Sequence, residues 1–292
     1  MGKVQYAATI FLVLALLAGG FFWANRPQLV PVHASPPANF PTGSFSHHVF
    51  EDLLKDYVDA NGRVDYERWH SSAGSVAKLD SYLAAVSLYS PDSAPDRFRT
   101  RTEELAYWIY GYNAYVIKSV LDNWPIESVT DLKAPIEAIR GLGFFYRLRY
   151  RFGGEYFSLL GVENDKIRKR YRDARIHFVL NCGSESCPVM RPALPTGTDL
   201  DALLKKAATD FVSDARNVSI DHDNQRVLLS TIFKWFEKDF LNDLRMRGRS
   251  AERGVIDYVA SVAPETLRNE LSTAVGYDIE FRDYDWSLNS AD

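Results

Sequence analysis

The chain has 292 residues, 46% of them apolar and 13% aromatic, ample for a buried core in one large domain or two small ones. That composition excludes a disordered chain. A formal net charge of −4 gives no electrostatic case for nucleic acid, whose binders concentrate positive charge on one face.

From Val4 to Ala24 there is no charged residue, and Ala7–Trp23 is nearly continuous apolar sequence after Lys3. The run is close to the ~20 residues of a membrane-spanning helix and longer than the ~7–15 of a signal-peptide core. Residues 1–26 are therefore read as a signal anchor; a signal peptide cleaved near Val32-His33-Ala34 is the competing reading. Lys3 and Arg26 nearly cancel under the positive-inside rule. A signal-like segment at the start normally leads to export, so a membrane-anchored domain outside the cytoplasm is expected, periplasmic in a bacterium. Residues 27–43, with Pro27, Pro31, Pro36, Pro37 and Pro41, read as an extended linker holding the domain off the membrane.

The domain is expected over residues 44–292. Ser46–Ala60 has one apolar face at helical spacing, Val64–Tyr66 reads as a short extended piece, and Val76–Leu88 as a second amphipathic helix. The longest helical pattern is Phe98–Asn123, ended by Trp124-Pro125. Tyr107, Trp108, Tyr110, Tyr112 and Tyr115 cover more than one of its faces, so it should be central and buried, which singles out Glu104 and Asn113 as polar residues on it. Glu104 also suits a helix start, where it complements the dipole, and Asn113 also suits a satisfied core amide.

Phe144–Phe152 and Tyr156–Leu160 read as extended segments joined by Gly153-Gly154, a strong hairpin signal. Val162–Tyr171 reads as a helix whose basic run, Lys166, Arg168, Lys169, Arg170 and Arg172, forms a solvated face, with an anion or lipid-headgroup site as the alternative. Arg175–Arg191, R-I-H-F-V-L-N-C-G-S-E-S-C-P-V-M-R, reads as an apolar strand with His177, Val179 and Asn181 on one face, running into a tight loop that holds Cys182 and Cys187.

Beyond it, Leu200–Val212 is amphipathic, with Thr196 and Asp199 as start candidates. Val218–Ile220 and Val227–Leu229 form a hairpin about Asp223-Asn224, and Ile232–Phe240 an aromatic-rich helix. Helices over Val255–Val262 and Pro264–Ser272 precede Tyr277–Phe281, which with Tyr284 and Trp286 would close the sheet. The fold class is α+β: a single mixed domain with antiparallel hairpins and several aromatic-rich helices, behind an N-terminal apolar helix.

Four stretches together resemble the bacterial and plant family called domain of unknown function 547: Y-W-I-Y-G-Y-N-A-Y at Tyr107–Tyr115, D-A-R-I-H-F-V-L-N-C-G-S-E-S-C-P at Asp173–Pro188, L-S-T-I-F-K-W-F at Leu229–Phe236, and Y-D-W-S-L-N at Tyr284–Asn289. The resemblance implies no activity, since the family is named for lacking one. Its more usual aromatic-helix pattern is similar to F-W-I-N-x-Y-N-A, so Tyr110 stands where the first asparagine would be and Asn113 matches the second.

The sharpest chemical reading is a thiol-dependent hydrolase or acyl transferase. A thiol needs a nearby base and a group that orients it, roles open to Cys187, His177 and either Glu104 or Asn113, with loop amides around Gly183–Cys187 as oxyanion donors. The alternative is a membrane-tethered binding or scaffolding module in which a disulfide joins Cys182 to Cys187, as an exported compartment permits. Trp108, Tyr112, Trp235 and Trp286 would then line a groove for a peptide or glycan, or simply fill the core. The C-x4-C spacing differs from that of thioredoxin-like catalysts, and no zinc motif, Walker A, G-x-G-x-x-G or G-x-S-x-G is present, so no metal or cofactor is expected. His47, His48, His70 and His222 are read as surface residues.

Overall fold

A computed structural model describes residues 2–192 and 199–291; in the first helix it describes the side chains of Tyr6 and of 9–24. Thr196, a candidate helix start, lies outside the described residues.

The domain is assembled around one helix. Helix α5 (Arg101–Asp122) begins where Thr100 accepts a hydrogen bond from the Glu103 N–H, and every residue from Leu105 to Leu121 is buried. A helix apolar on all sides has to be enclosed by other elements. Helix α2 (His48–Tyr57) packs on α3 (Tyr66–Ser71) and α4 (Ala73–Leu88); those two enclose α5 together with the helical run of α6 (Leu159–Gly161), π-helical Val162–Arg168 and α7 (Lys169–Tyr171), and with α8 (Asp199–Ser213). Beyond it, α9 (Thr231–Trp235) packs on α10 (Glu237–Met246), and α11 (Val255–Val262) packs on α8, α10 and α12 (Glu265–Thr273).

Two small sheets complete the α+β fold. In the first, β1 (Gln28–Leu29) runs parallel to β2 (Leu148–Phe152), which pairs antiparallel with β3 (Glu155–Phe157) in the register Phe152↔Glu155. The turn needs Gly153 and Gly154, whose φ values are 56° and 96°. In the second sheet, β4 (Val218–Asp221) pairs antiparallel with β5 (Arg226–Leu229), and β6 (Asp278–Phe281) runs parallel to β5.

Several segments depart from the sequence reading. Arg175–Asn181 is not a strand: Ala174–Phe178 is a 3-10 helix that starts where the Asp173 carboxylate accepts from the Arg175 N–H. A short buried apolar run does not distinguish strand from helix by alternation, and here the Asp173 cap decides. Leu142–Arg147 is π-helical, so β2 begins only at Leu148. Asp65 accepts from the Arg68 N–H and starts α3 at Tyr66, where an extended piece was expected. The aromatic-rich helix breaks at Phe236 into α9 and α10. Tyr284 and Trp286 lie beyond β6 and close no sheet. His47 is buried, not at the surface, and its Nδ1 lies 2.8 Å from the Tyr82 hydroxyl. Burial pushes its pKa down to about 3, so the ring is neutral.

The proline-rich segment lies on the domain. The Val30 N–H donates to the Arg149 carbonyl at 2.9 Å, Phe40 stacks on Tyr89, and Arg97 donates to the Pro41 and Ser44 carbonyls. Helix α1 (Gly2–Ala24) precedes it, with Ile10, Phe11, Leu12, Leu14, Leu16 and Leu17 exposed. Among the described residues no helix is long and apolar enough to cross a membrane; on α1 the unbroken described run, 9–24, is shorter than the ~20 residues a span needs.

A candidate ligand site walled by the cysteine loop

The cysteine loop is held from behind by amides. Asn113, buried in mid α5, donates from Nδ2 to the Val179 carbonyl and accepts at Oδ1 from the Asn181 N–H, both at 2.9 Å. Asn181 in turn donates to the Pro188 carbonyl at 2.6 Å and accepts from the Gly183 N–H at 2.7 Å. Those bonds close the loop into a tight bend at Gly183, where φ is 82° and an added Cβ would stand 2.9 Å from Val129 Cγ1. The C-terminal tail fixes the outer side: Glu185 and Ser186 donate to the carbonyls of Ser287 and Asp285, and Asn289 donates to that of Gly183.

Within this loop Cys182 and Cys187 form a disulfide, with Cα atoms 6.3 Å apart. Its sulfurs are surrounded by donors. The Cys182 N–H donates to Cys187 Sγ at 3.0 Å, and the Tyr284 hydroxyl donates to the same sulfur at 3.1 Å. Ser184 Oγ lies 3.0 Å from both Cys182 Sγ and the Tyr284 hydroxyl.

The disulfide forms part of the wall of a cavity of about 390 Å³, within the range of small-molecule sites. Tyr112 of α5, Phe145, Leu160, Leu180, Ile232, Trp235, Phe236, Tyr284 and Trp286 supply most of the remaining wall. Trp235, Tyr284 and Trp286 form one aromatic cluster with ring centroids 4.6–5.8 Å apart. A larger cleft of about 940 Å³ lies next to it, lined by charged side chains that already pair, Lys169 with Asp165 and Arg168 with Asp239. An apolar ligand gains more from the smaller, aromatic cavity.

One carboxyl group stands in this largely apolar wall, which also includes the exposed Arg140. Glu163 is 8% exposed, and its Oε1 has no hydrogen-bond partner. Burial pushes its pKa up to about 7; Arg168 nearby pulls it down and Asp239 pushes it further up. Near neutral pH the group therefore exists in both forms, as an acceptor or as a donor.

His177 lines the same cavity, stacked on Phe236 at 3.8 Å between centroids. Its Nε2 lies 2.8 Å from Asp239 Oδ2, which Arg168 Nε also reaches at 2.6 Å. Burial raises the Asp239 pKa, but the bonds from His177 and Arg168 outweigh it and bring the value down to about 2. Asp239 is thus a carboxylate and acceptor. Burial lowers the His177 pKa against the opposing pull of Asp239, so the ring is neutral, with its proton on Nε2 and Nδ1 as an acceptor.

The sequence-derived candidates are therefore split. Cys187 and His177 face one cavity, Asn113 stands behind the loop as its anchor, and Glu104 lies apart with the Tyr171 hydroxyl 3.3 Å from its Oε2. Most of the amides expected to receive an oxyanion are already engaged: those of Cys182, Gly183, Glu185, Ser186 and Cys187 donate within the fold. Of the four proposed groove aromatics, Tyr112, Trp235 and Trp286 line the cavity, while Trp108 is buried in the core. In the basic run, Lys166 and Arg170 both pair with Asp92.

Sequence reasoning passed over Glu163, Asp239 and the contact of Tyr284 with the sulfurs. Glu163 did leave a signal: it sits between Leu159 and Ile167 at i, i+4, i+8 spacing, one acid on an apolar helical stripe. Asp239 and Tyr284 left none, because their partners lie 62 and 97 residues away. Among the described residues no cluster of three His, Cys, Asp or Glu side chains is arranged to hold a metal ion.

Residues 96–212 match the family model described as "Protein of unknown function, DUF547". That stretch carries α5 and the cysteine loop, and over it the chain resembles this family. No curated protein and no solved structure matches the chain.

Proposed function

We propose that this protein is a membrane-tethered binding module whose aromatic cavity takes an organic cation, an apolar or aromatic body bearing one protonated amine that pairs with Glu163. The observation that carries this reading is the buried Glu163 carboxyl, unpartnered at Oε1 in a largely aromatic and apolar wall. A buried acid without a partner costs stability, and a ligand that supplies the missing donor removes that cost. The clustered faces of Trp235, Tyr284 and Trp286 favour the same charge, since aromatic faces attract ammonium groups. Tethering is supported by the exposed apolar side chains of α1, which are stable only in apolar surroundings. Export suits a domain with a disulfide.

A thiol-dependent hydrolase or acyl transferase built on Cys187 and His177 has less support. Cys187 is bonded to Cys182, His177 Nε2 is committed to Asp239, and most of the loop amides are engaged.

The test is a titration of tryptophan fluorescence with phenethylamine and its neutral analogue phenethyl alcohol. A charge-assisted bond of about 2 kcal/mol gives the amine a preference of about thirtyfold. The preference should grow from pH 6 to pH 8 as Glu163 ionises through about 7, and Glu163→Gln should abolish it. Equal affinity for the two compounds, or a preference that survives Glu163→Gln, rejects the reading. For the tether, the full chain should float with phosphatidylcholine vesicles and a chain lacking residues 2–24 should not.

A further inference from the structure

The disulfide on the cavity wall has features that a staple does not require. Its cysteines are only five apart in sequence, so the ring removes little chain entropy. The loop is also held by other means, through Asn113, Asn181 and the C-terminal tail at Ser287. Meanwhile two donors, the Cys182 N–H and the Tyr284 hydroxyl, point at Cys187 Sγ from 3.0 and 3.1 Å. A disulfide sulfur is a weak acceptor and gains little from them; a thiolate gains a great deal.

We propose that Cys182–Cys187 is a thiol–disulfide exchange site opening on the aromatic cavity, in which Cys187 is the stabilised thiolate and a dithiol is the co-reactant. One thiolate of the dithiol attacks Cys182 Sγ. The bond between Cys182 and Cys187 breaks, its electron pair passes to Cys187 Sγ, and a mixed disulfide remains on Cys182. The second thiolate of the co-reactant then attacks its own sulfur in that mixed disulfide, and Cys182 leaves as a thiolate. The co-reactant has lost two electrons and become a disulfide, the protein has gained them as a dithiol, and the two thiol protons pass to the released sulfurs or to water. Run in reverse, the reduced pair reduces a substrate disulfide.

The surroundings support each part. Ser184 Oγ, 3.0 Å from the Tyr284 hydroxyl, donates to its oxygen and so aims the phenol proton at Cys187. Burial keeps the phenol protonated, since it raises the Tyr284 pKa. Glu163, on the same cavity, is a proton acceptor for an incoming thiol. The inference is independent of the cation-binding reading, because it rests on the donors around the sulfurs and not on what fills the aromatic part of the cavity.

The experiment equilibrates the full chain with mixtures of reduced and oxidised dithiothreitol, following thiol content by alkylation and mass, and the fold by circular dichroism. Reversible reduction with the fold retained is expected. Reduced protein is then alkylated with iodoacetamide across pH, with Cys187 resolved by peptide mapping. Its midpoint should lie at least one pH unit below the ~8.5 of an ordinary thiol. Tyr284→Phe should move it up by about one unit, a tenfold loss of thiolate at fixed pH below the midpoint. Cys187→Ser should retain a mixed disulfide on Cys182 when treated with oxidised glutathione, whose half carries no second thiol to release it, whereas the reduced native protein should close its own disulfide. Reduction that occurs only with unfolding overturns the proposal, as does a wild-type midpoint at or above 8.5. The wild-type midpoint decides the matter even where Tyr284→Phe does not fold.

Discussion

Replacing Glu163 by glutamine keeps the shape of the side chain and removes its titration, which isolates what the buried acid costs the fold. In the native protein burial raises its pKa from 4.5 to about 7. Below pH 4.5 the acid is protonated in both states and carries no penalty. Between 4.5 and 7 the unfolded chain gives up the proton while the folded chain keeps it, so stability falls as pH rises. Above 7 the whole penalty remains. At ~1.4 kcal/mol per pH unit, the interval from 4.5 to about 7 amounts to about 3 kcal/mol. Glutamine does not titrate, so the variant and the native protein should be equally stable near pH 4.5 and differ by about 3 kcal/mol in favour of the variant at pH 8. Urea denaturation of both proteins at half-unit steps of pH measures the difference directly and cancels every other titrating group. A difference that stays flat from pH 4.5 to 8 would refute the argument, since it would mean that the Glu163 carboxyl is solvated or paired.

Asn113→Ala removes the donor for the Val179 carbonyl and the acceptor for the Asn181 N–H. It should cost about 2–4 kcal/mol in denaturant and speed amide exchange across Asn181–Cys187. Gly183→Ala forces a Cβ into a left-handed backbone with Val129 at 2.9 Å, and should destabilise by more than 1 kcal/mol while Gly74→Ala, in open space, does not. Asp239→Asn weakens the acceptor shared by His177 and Arg168. Because the Asp239 pKa is depressed from 3.8 to about 2, its contribution is present above 3.8 and lost as pH falls through 2. The deficit of the variant should therefore be full at pH 6 and shrink toward pH 2, as followed by thermal melts.

Helices with strong periodicity were readable from the chain almost to the residue, and Val255–Val262 coincides with α11. Longer patterns came close: α4 begins at Ala73, three residues before the expected Val76, because Ser72 accepts from the Ser75 N–H and starts the turn earlier. The hairpins also announced themselves, one by Gly153-Gly154 and one by Asp223-Asn224. What stayed hidden had a common cause. The segment Ala174–Phe178 alternates like a strand, yet Asp173 caps it and the Asn113 side chain takes the Val179 carbonyl and Asn181 N–H that a neighbouring strand would have paired. Such a long-range side-chain substitute for a strand leaves no local trace.

The candidate site follows the same division. Cys182, Cys187 and His177 were legible because they are chemically distinctive and close in sequence, but their roles depend on partners supplied from elsewhere: Asp239 from α10, Tyr284 from the tail, Glu163 from the π-helical turn. Each partner changes the meaning of the residue it meets. Asp239 holds the His177 proton on Nε2, so the histidine is not free to serve Cys187 with that nitrogen. Tyr284 turns a short-range disulfide into a sulfur pair with a built-in thiolate site. Glu163 gives an aromatic cavity a buried carboxyl with an unpartnered oxygen, and with it a chemical preference. The cysteine stretch is one wall of the site; the selectivity resides in the walls that the chain brings to it.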